Sequence, residues 1–307
     1  MDIFLQQVIN GLTLGSVYAI VALGYTMVYG IIQLINFAHG EVVMLGAMVA
    51  FSVIGALAGT SLPPLIIVLA GILAAVPACM LVGYAMERVA YRPLRGAPRL
   101  APLITAIGIS IILQHVAMLV WSRSPLAFPQ IIPLVRFHIG GAIITGVQIA
   151  IILTSLLMMA ALTLLVYRTK LGIAMRATSQ NPQIAGLMGI DIDRIISFTF
   201  IVGAALAAVA GVMVGTYYGI AHYSMGALLG MKAFSAAVLG GIGNLAGAML
   251  GGILLGVVEA LGAGYIGDLT NNVFGSNYQD VFAFLVLIAV LVFRPSGLLG
   301  ERVGDRA

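Results

Sequence analysis

Charge is the scarcest commodity in this 307-residue chain: Asp, Glu, Lys and Arg make up 8% of it, while 62% is hydrophobic. An average soluble domain carries about 25% charged residues. So few charges cannot cover a water-facing surface, and the mean hydropathy of +1.14 points the same way. The single cysteine, Cys79, excludes a disulfide framework and a thiol metal cluster built from this chain alone. Lysine occurs twice, Lys170 after Thr169 and Lys232 after Met231, so no Gly-x-x-x-x-Gly-Lys-Ser/Thr phosphate loop exists and ATP is not bound in that way. His39, His115, His138 and His222 are scattered, with no metal-site spacing and no nucleophile and base arrangement around them. Enzyme chemistry has nothing here to stand on, and no metal or cofactor site is expected.

What the chain does have is a succession of apolar runs, each long enough to cross a hydrocarbon layer about 30 Å thick. Eight spans are expected at roughly Val8 to Gly30, Val42 to Thr60, Leu65 to Met86, Pro102 to Trp121, Gly146 to Tyr167, Ile195 to Tyr218, Leu245 to Ile266 and Val281 to Phe293. Met225 to Gly241 is interrupted by Lys232 and ends in Gly240-Gly241, so it is a ninth span or a re-entrant half-helix. The expected fold class is therefore an all-α polytopic membrane protein with eight or nine transmembrane or re-entrant helices. No connection approaches the size of an independent domain. Residues 1–307 read as one transmembrane domain, with a loop at 168–194 inside it. Met1-Asp2-Ile3-Phe4 offers no basic n-region or cleavage site, so a cleaved signal peptide is not expected.

The net charge of +4 comes from 14 basic and 10 acidic residues, and the basic ones cluster between apolar runs. Short loops rich in Lys and Arg stay cytoplasmic. Arg88, Arg92, Arg95 and Arg99 fill one such loop, Arg168, Lys170, Arg176 and Arg194 a second, and Arg294, Arg302 and Arg306 follow the last span. The stretch from Ser122 to Thr145 holds only Arg123 and Arg136, and Asp268 to Asp280 holds no basic residue, which suits the outer face. Nine crossings then place the N-terminus outside and the C-terminus inside.

Glycines repeat at four-residue spacing in Gly203, Ala207, Gly211, Gly215 and in the pairs Gly247 with Gly251 and Gly252 with Gly256. That spacing lets helix backbones approach closely in lipid, where burial of apolar surface does not by itself drive association. A tightly packed bundle follows.

Two places break the apolar pattern in ways that packing alone does not require. In the first, Tyr25-Thr26-Met27-Val28-Tyr29-Gly30 is followed by Ile35-Asn36-Phe37-Ala38-His39-Gly40-Glu41, with Glu41 in the first turn of the next helix. A carboxylate there meets the free N–H groups and the positive end of the helix dipole, so a capped interfacial turn is one reading. Placing Asn, His and Glu near lipid with almost no polar loop around them supports a second, a broken helix lining a cavity. In the other place, Lys232 precedes Gly240-Gly241-Ile242-Gly243-Asn244, where glycine-rich backbone at membrane depth needs internal partners. Both breaks pass from glycine plus a polar residue into a small-residue helix, which points to a two-fold internal repeat and to a transport path. The candidate path residues are Tyr25, Tyr29, Asn36, His39, Glu41, Lys232 and Asn244.

In the loop 168–194 one short helix is expected outside the membrane. Asn181 can cap it, Pro182 suits its first position, Ile184, Leu187 and Met188 fall on one face, and Gly189 can end it; Asp191 then caps the next span. The apolar face has to rest on lipid, on the rest of the chain or on a partner protein.

The segments Gly24 to Gly30, Ile35 to Glu41, Glu87-Arg88-Val89-Ala90-Tyr91-Arg92-Pro93-Leu94-Arg95, Ala237 to Gly243 and Arg294-Pro295-Ser296-Gly297-Leu298-Leu299-Gly300 resemble the high-affinity branched-chain amino acid ABC transporter permeases of the LivH type. The likeness covers essentially the whole chain. It implies a permease subunit of an ATP-driven importer in the bacterial inner membrane, moving branched-chain or related amino acids. Its implied partners are a second homologous permease subunit, two cytoplasmic ATPase subunits that hold ATP and magnesium, and a periplasmic amino-acid-binding protein. By the same likeness Arg176, Asn181, Pro182, Ile184, Leu187, Met188 and Gly189 belong to a helical element that docks on an ATPase. Related permeases carry urea or short amides, which leaves that substrate class open. A secondary transporter coupled through His39, Glu41, Lys232 or Glu259, and a passive channel, are the readings from other classes.

Overall fold

Proline, glycine and short polar caps set the helix boundaries. A computed structural model describes residues 2–98, 100–133, 135–269 and 278–300. Arg99, Arg302, Arg306 and residues 270–277 of the basic-free stretch, all used above for topology, lie outside the described residues.

The helices are α1 (Asp2–Ile32), α2 (His39–Leu57), α3 (Pro64–Met86), α4 (Leu100–Val120), α5 (Gly146–Arg168), α6 (Lys170–Gln180), α7 (Pro182–Leu187), α8 (Ile192–Tyr218), α9 (Met225–Gly240), α10 (Leu245–Leu269) and α11 (Gln279–Phe293). Seven of them are long and apolar enough to cross a membrane, and α9 and α11 are shorter apolar helices. The nine correspond one to one with the runs read from the sequence. Met225–Gly240 is one continuous helix despite Lys232.

Three details differ from the sequence expectation. The all-α class gains two small ribbons, β1 (Leu126–Ala127) with β4 (Ile220–Ala221), and β2 (Arg136–Ile139) with β3 (Ala142–Thr145), all antiparallel. Connections between spans have free backbone groups, and pairing two loops satisfies them. The loop 168–194 holds two helices where one was expected, because Thr169 Oγ1 accepts from Gly172 N at 3.0 Å and caps α6 ahead of α7. Finally, α3 does not stop at Met86 but runs on as a π-helical segment, Glu87–Tyr91, and a 3₁₀ turn, Arg92–Leu94.

The described chain divides into two interleaved units. One is drawn from Met1–Thr26, Pro133–Leu157 and Lys232–Ala307, the other from Met27–Ile132 and Met158–Met231. Small residues hold each together. In the first unit, a Cβ added at Gly11 or Gly15 would fall 2.6 Å from the α10 backbone at Val257 or Ile253. In the second, one added at Gly46 would fall 2.7 Å from Ala208 Cα, and one at Gly211 would overlap the α2 backbone at Val43. These contacts leave no room for a side chain, so the glycine spacing is used for backbone contact in lipid.

Contacts inside each unit also show which helix ends lie level. In the second unit the segment after α3 meets the first turns of α8 through Arg92, Arg95, Asp193 and Ser197, while β1 after α4 pairs with β4 after α8. In the first, Gln6 near the start of α1 exchanges two hydrogen bonds with Ile143 ahead of α5, and Leu298 and Leu299 after α11 donate to Leu239 and Gly240 at the end of α9. Every one of these pairings joins ends that nine alternating crossings place on the same side.

Candidate translocation and coupling sites

Helix α1 stops at Ile32, where Gln33 adopts a left-handed φ of 52°, and α2 starts at His39. Between them Asn36 shapes the break: its Oδ1 accepts from Ala38 N at 3.1 Å, and its carbonyl from His39 N at 3.0 Å. Asn36, His39 and Glu41 are all buried, as is Tyr25 on α1; Tyr29, one turn further along α1, is partly exposed.

Glu41 is fully buried in the first turn of α2. Its Oε1 accepts from Gln114 Nε2 at 2.7 Å and from Ser110 Oγ at 3.2 Å, both on α4. Oε2 has no hydrogen-bond partner and faces Gly226, where an added Cβ would lie 2.6 Å away. Ser110 and Gln114 sit at mid-length of α4, so α2 begins well inside that helix's span and not at its end. The turn is therefore a break between two helices that lies level with the middle of α4. Backbone can leave helical geometry there because Asn36 and its neighbours satisfy it internally.

In the other unit Lys232 is enclosed by carboxylates. Its Nζ lies 2.7 Å from Glu259 Oε1 and 2.6 Å from Asp280 Oδ1, the latter an ion-pair contact outside hydrogen-bond geometry. Tyr18 donates its hydroxyl to Glu259 Oε2 at 2.9 Å. The cluster ties α1, α9, α10 and α11 together. Asn244 lies at the second break and caps α10, accepting from Gly247 N at 3.0 Å and donating to Leu299 O at 2.9 Å. The loop 294–300 is thereby strapped across Gly240 and Gly241, the latter at a φ of 104°.

The sequence reading missed the strongest charge cluster. Glu87 is fully buried at the start of the π segment; its Oε1 accepts from Arg92 Nε at 3.2 Å and its Oε2 from Ser197 Oγ at 2.6 Å, while Arg95 also donates to it and to Asp193. One signal was available, a lone carboxylate at the end of an apolar run with arginines five and eight residues on. Ser110 and Gln114, at i and i+4 in the apolar α4, were missed in the same way.

The α7 element is built as its residues suggest. Asn181 Oδ1 accepts from Ile184 N at 3.0 Å, Pro182 opens the helix, and Gly189 leaves it at a φ of 86°. Ile184, Leu187 and Met188 are 57%, 87% and 79% exposed, while Ala185 between them is buried. Arg176 on α6 lies over the Tyr167 ring, 5.3 Å from its centroid.

A family profile described as the permease component of the branched-chain amino acid transport system matches residues 7–291. The chain belongs to this family. It is 50% identical over 303 residues to the high-affinity branched-chain amino acid transport system permease protein BraD of Pseudomonas aeruginosa, covering 97% of this chain and 96% of that one. To the permease LivH of Escherichia coli K12 it is 45% identical, with the same coverage. A probable branched-chain amino acid transport permease of Methanocaldococcus jannaschii is 27% identical over 97% of this chain and 94% of its own. No solved structure matches. The permease is thus a multi-pass membrane protein and a transport subunit.

Proposed function

We propose that this permease forms, with a second permease subunit, the path by which an ABC importer moves branched-chain amino acids inward. A binding protein on the outer face delivers the substrate, and ATPase subunits dock on α7 from the cytoplasm and supply the energy. Names borne by relatives 45 to 50% identical over nearly the full chain support the substrate class. The observation that carries the coupling role is the capped α7 helix with Ile184, Leu187 and Met188 turned outward. Three large apolar side chains on a rigid turn beside a basic loop fit a groove on a partner. In one unit the path residues are Tyr29, on α1 ahead of the break, and Asn36, His39 and Glu41 at it; in the other Tyr25 is the path residue, while Lys232 pairs with Glu259 and Asp280 and Asn244 caps the second break.

The test is Leu187→Asp in the assembled importer, reconstituted with its binding protein. A carboxylate placed in a closed apolar groove costs several kcal/mol, so ATPase association and leucine uptake should both fall by about a hundredfold or more while permease abundance stays normal. Wild-type uptake by this variant would rule the docking role out. Running leucine, isoleucine, valine, alanine and urea in the same assay tests the substrate class, and uptake that survives ATP depletion would favour an ion-coupled carrier.

A further inference from the structure

One hydrogen bond joins two segments that lie far apart in sequence. Tyr91 closes the π-helical segment, and its hydroxyl donates to Asn36 Oδ1 at 2.9 Å, with both residues buried. The same Oδ1 accepts from Ala38 N, so one atom both shapes the break ahead of α2 and ties it to the end of α3. Behind the hydroxyl, the Tyr91 ring packs on Phe200 of α8 with centroids 5.0 Å apart. At the other end of the π segment Glu87 is locked to α8 through Ser197, and Arg92 Nη2 donates to the same Ser197 Oγ at 2.8 Å. Helix α8 itself starts just past α7, fastened by Asp191, whose Oδ1 accepts from Arg194 N at 3.1 Å. On the α7 side Ile190 N donates to Ala185 O at 3.1 Å, so backbone and side-chain hydrogen bonds and one packed ring lead from α7 through α8 to the break. π segments are rare and concentrate at functional sites. Here the segment sets Glu87 against Ser197 at one end and Tyr91 against Asn36 at the other.

We infer that Tyr91 is a positioning residue for transport: by holding Asn36, its hydroxyl transmits movement of the α7–α8 segment to the break from which α2 starts. This rests on the reading of α7 as the ATPase contact. A physical link proves coupling only when both ends are shown to depend on it. The decisive quantity is therefore substrate moved per ATP, which a purely structural bond would not change.

The variant is Tyr91→Phe, which keeps the ring against Phe200 and removes only the hydroxyl. In the complete importer in proteoliposomes, ATPase subunits should co-purify normally and ATP hydrolysis should stay within about twofold of wild type. Leucine moved per ATP should fall about fivefold or more, the expected effect of losing one buried hydrogen bond. Asn36→Ala, which also removes the bond from Ala38 N, should lower the same ratio at least as far, and the double variant should fall no further than Asn36→Ala alone, because both variants remove the Tyr91–Asn36 bond. An unchanged ratio in Tyr91→Phe, additive losses in the double variant, or loss of uptake matched by loss of assembled complex would each overturn the inference. Failure of the docking reading is separate: it appears as a Leu187→Asp importer that assembles normally, whatever Tyr91→Phe does.

Discussion

Replacing Lys232 by Met asks whether this lysine serves transport directly or holds the bundle together. The wild-type Nζ sits between Glu259, 1% exposed at its side chain, and Asp280, 31% exposed, at 2.7 and 2.6 Å. Met fills nearly the same volume, so little is lost in packing. What goes is the only basic group in ion-pair contact with either carboxylate among the described residues, leaving two acids facing one apolar side chain. Removing one partner of a buried pair costs about 3 to 5 kcal/mol, a factor of roughly 10² to 4 × 10³ in the folding equilibrium. Against a total stability of about 5 to 15 kcal/mol, that is enough to deplete the folded protein. The assay is abundance in membranes together with the thermal unfolding midpoint of the detergent-solubilised permease. Lys232→Met should be scarce and melt many degrees lower. The double variant Lys232→Met with Glu259→Gln should recover most of the loss: Gln still accepts from the Tyr18 hydroxyl, and the half-open Asp280 can reach water. A Lys232→Met permease of normal abundance and midpoint that fails to transport would refute this reasoning and return Lys232 to the path.

Packing and topology give two further expectations. Gly211→Leu forces a side chain into the α2 backbone at Val43 and should abolish folded permease, seen as loss of the monodisperse peak in size-exclusion chromatography, whereas Gly59→Leu, in open space, should not. For sidedness, Met188→Cys in permease expressed without its ATPase subunits is the reporter, being 79% exposed against a native Cys79 that is buried. It should react with an impermeant maleimide only after cells are permeabilised, and labelling in intact cells would invert the topology.

Sequence alone decided the solvent and the elements. Charge too sparse for a water-facing surface, and nine apolar runs, sufficed for a polytopic helical protein, because a lipid environment requires every spanning backbone to satisfy itself within a helix. The α7 cap was also legible, since Asn181, Pro182 and Gly189 act on backbone groups within a few residues of themselves. Tertiary structure decided the partners of the polar groups inside the membrane. Glu41 was visible as an anomaly, yet its donors lie 69 and 73 residues away on α4. Glu259 stood out only as a candidate ion-coupling group, and it joins Lys232 from 27 residues away and Tyr18 from 241. Tyr91 carried no signal of its own beyond its motif, because a buried tyrosine in an apolar run reads as packing until the fold sets an acceptor in front of its hydroxyl. Local chemistry fixes caps and spans, since both act over a few residues along the chain. Pairing among buried polar groups depends on which helices lie side by side and at what depth, and that is settled by glycine contacts and helix lengths summed over the whole bundle.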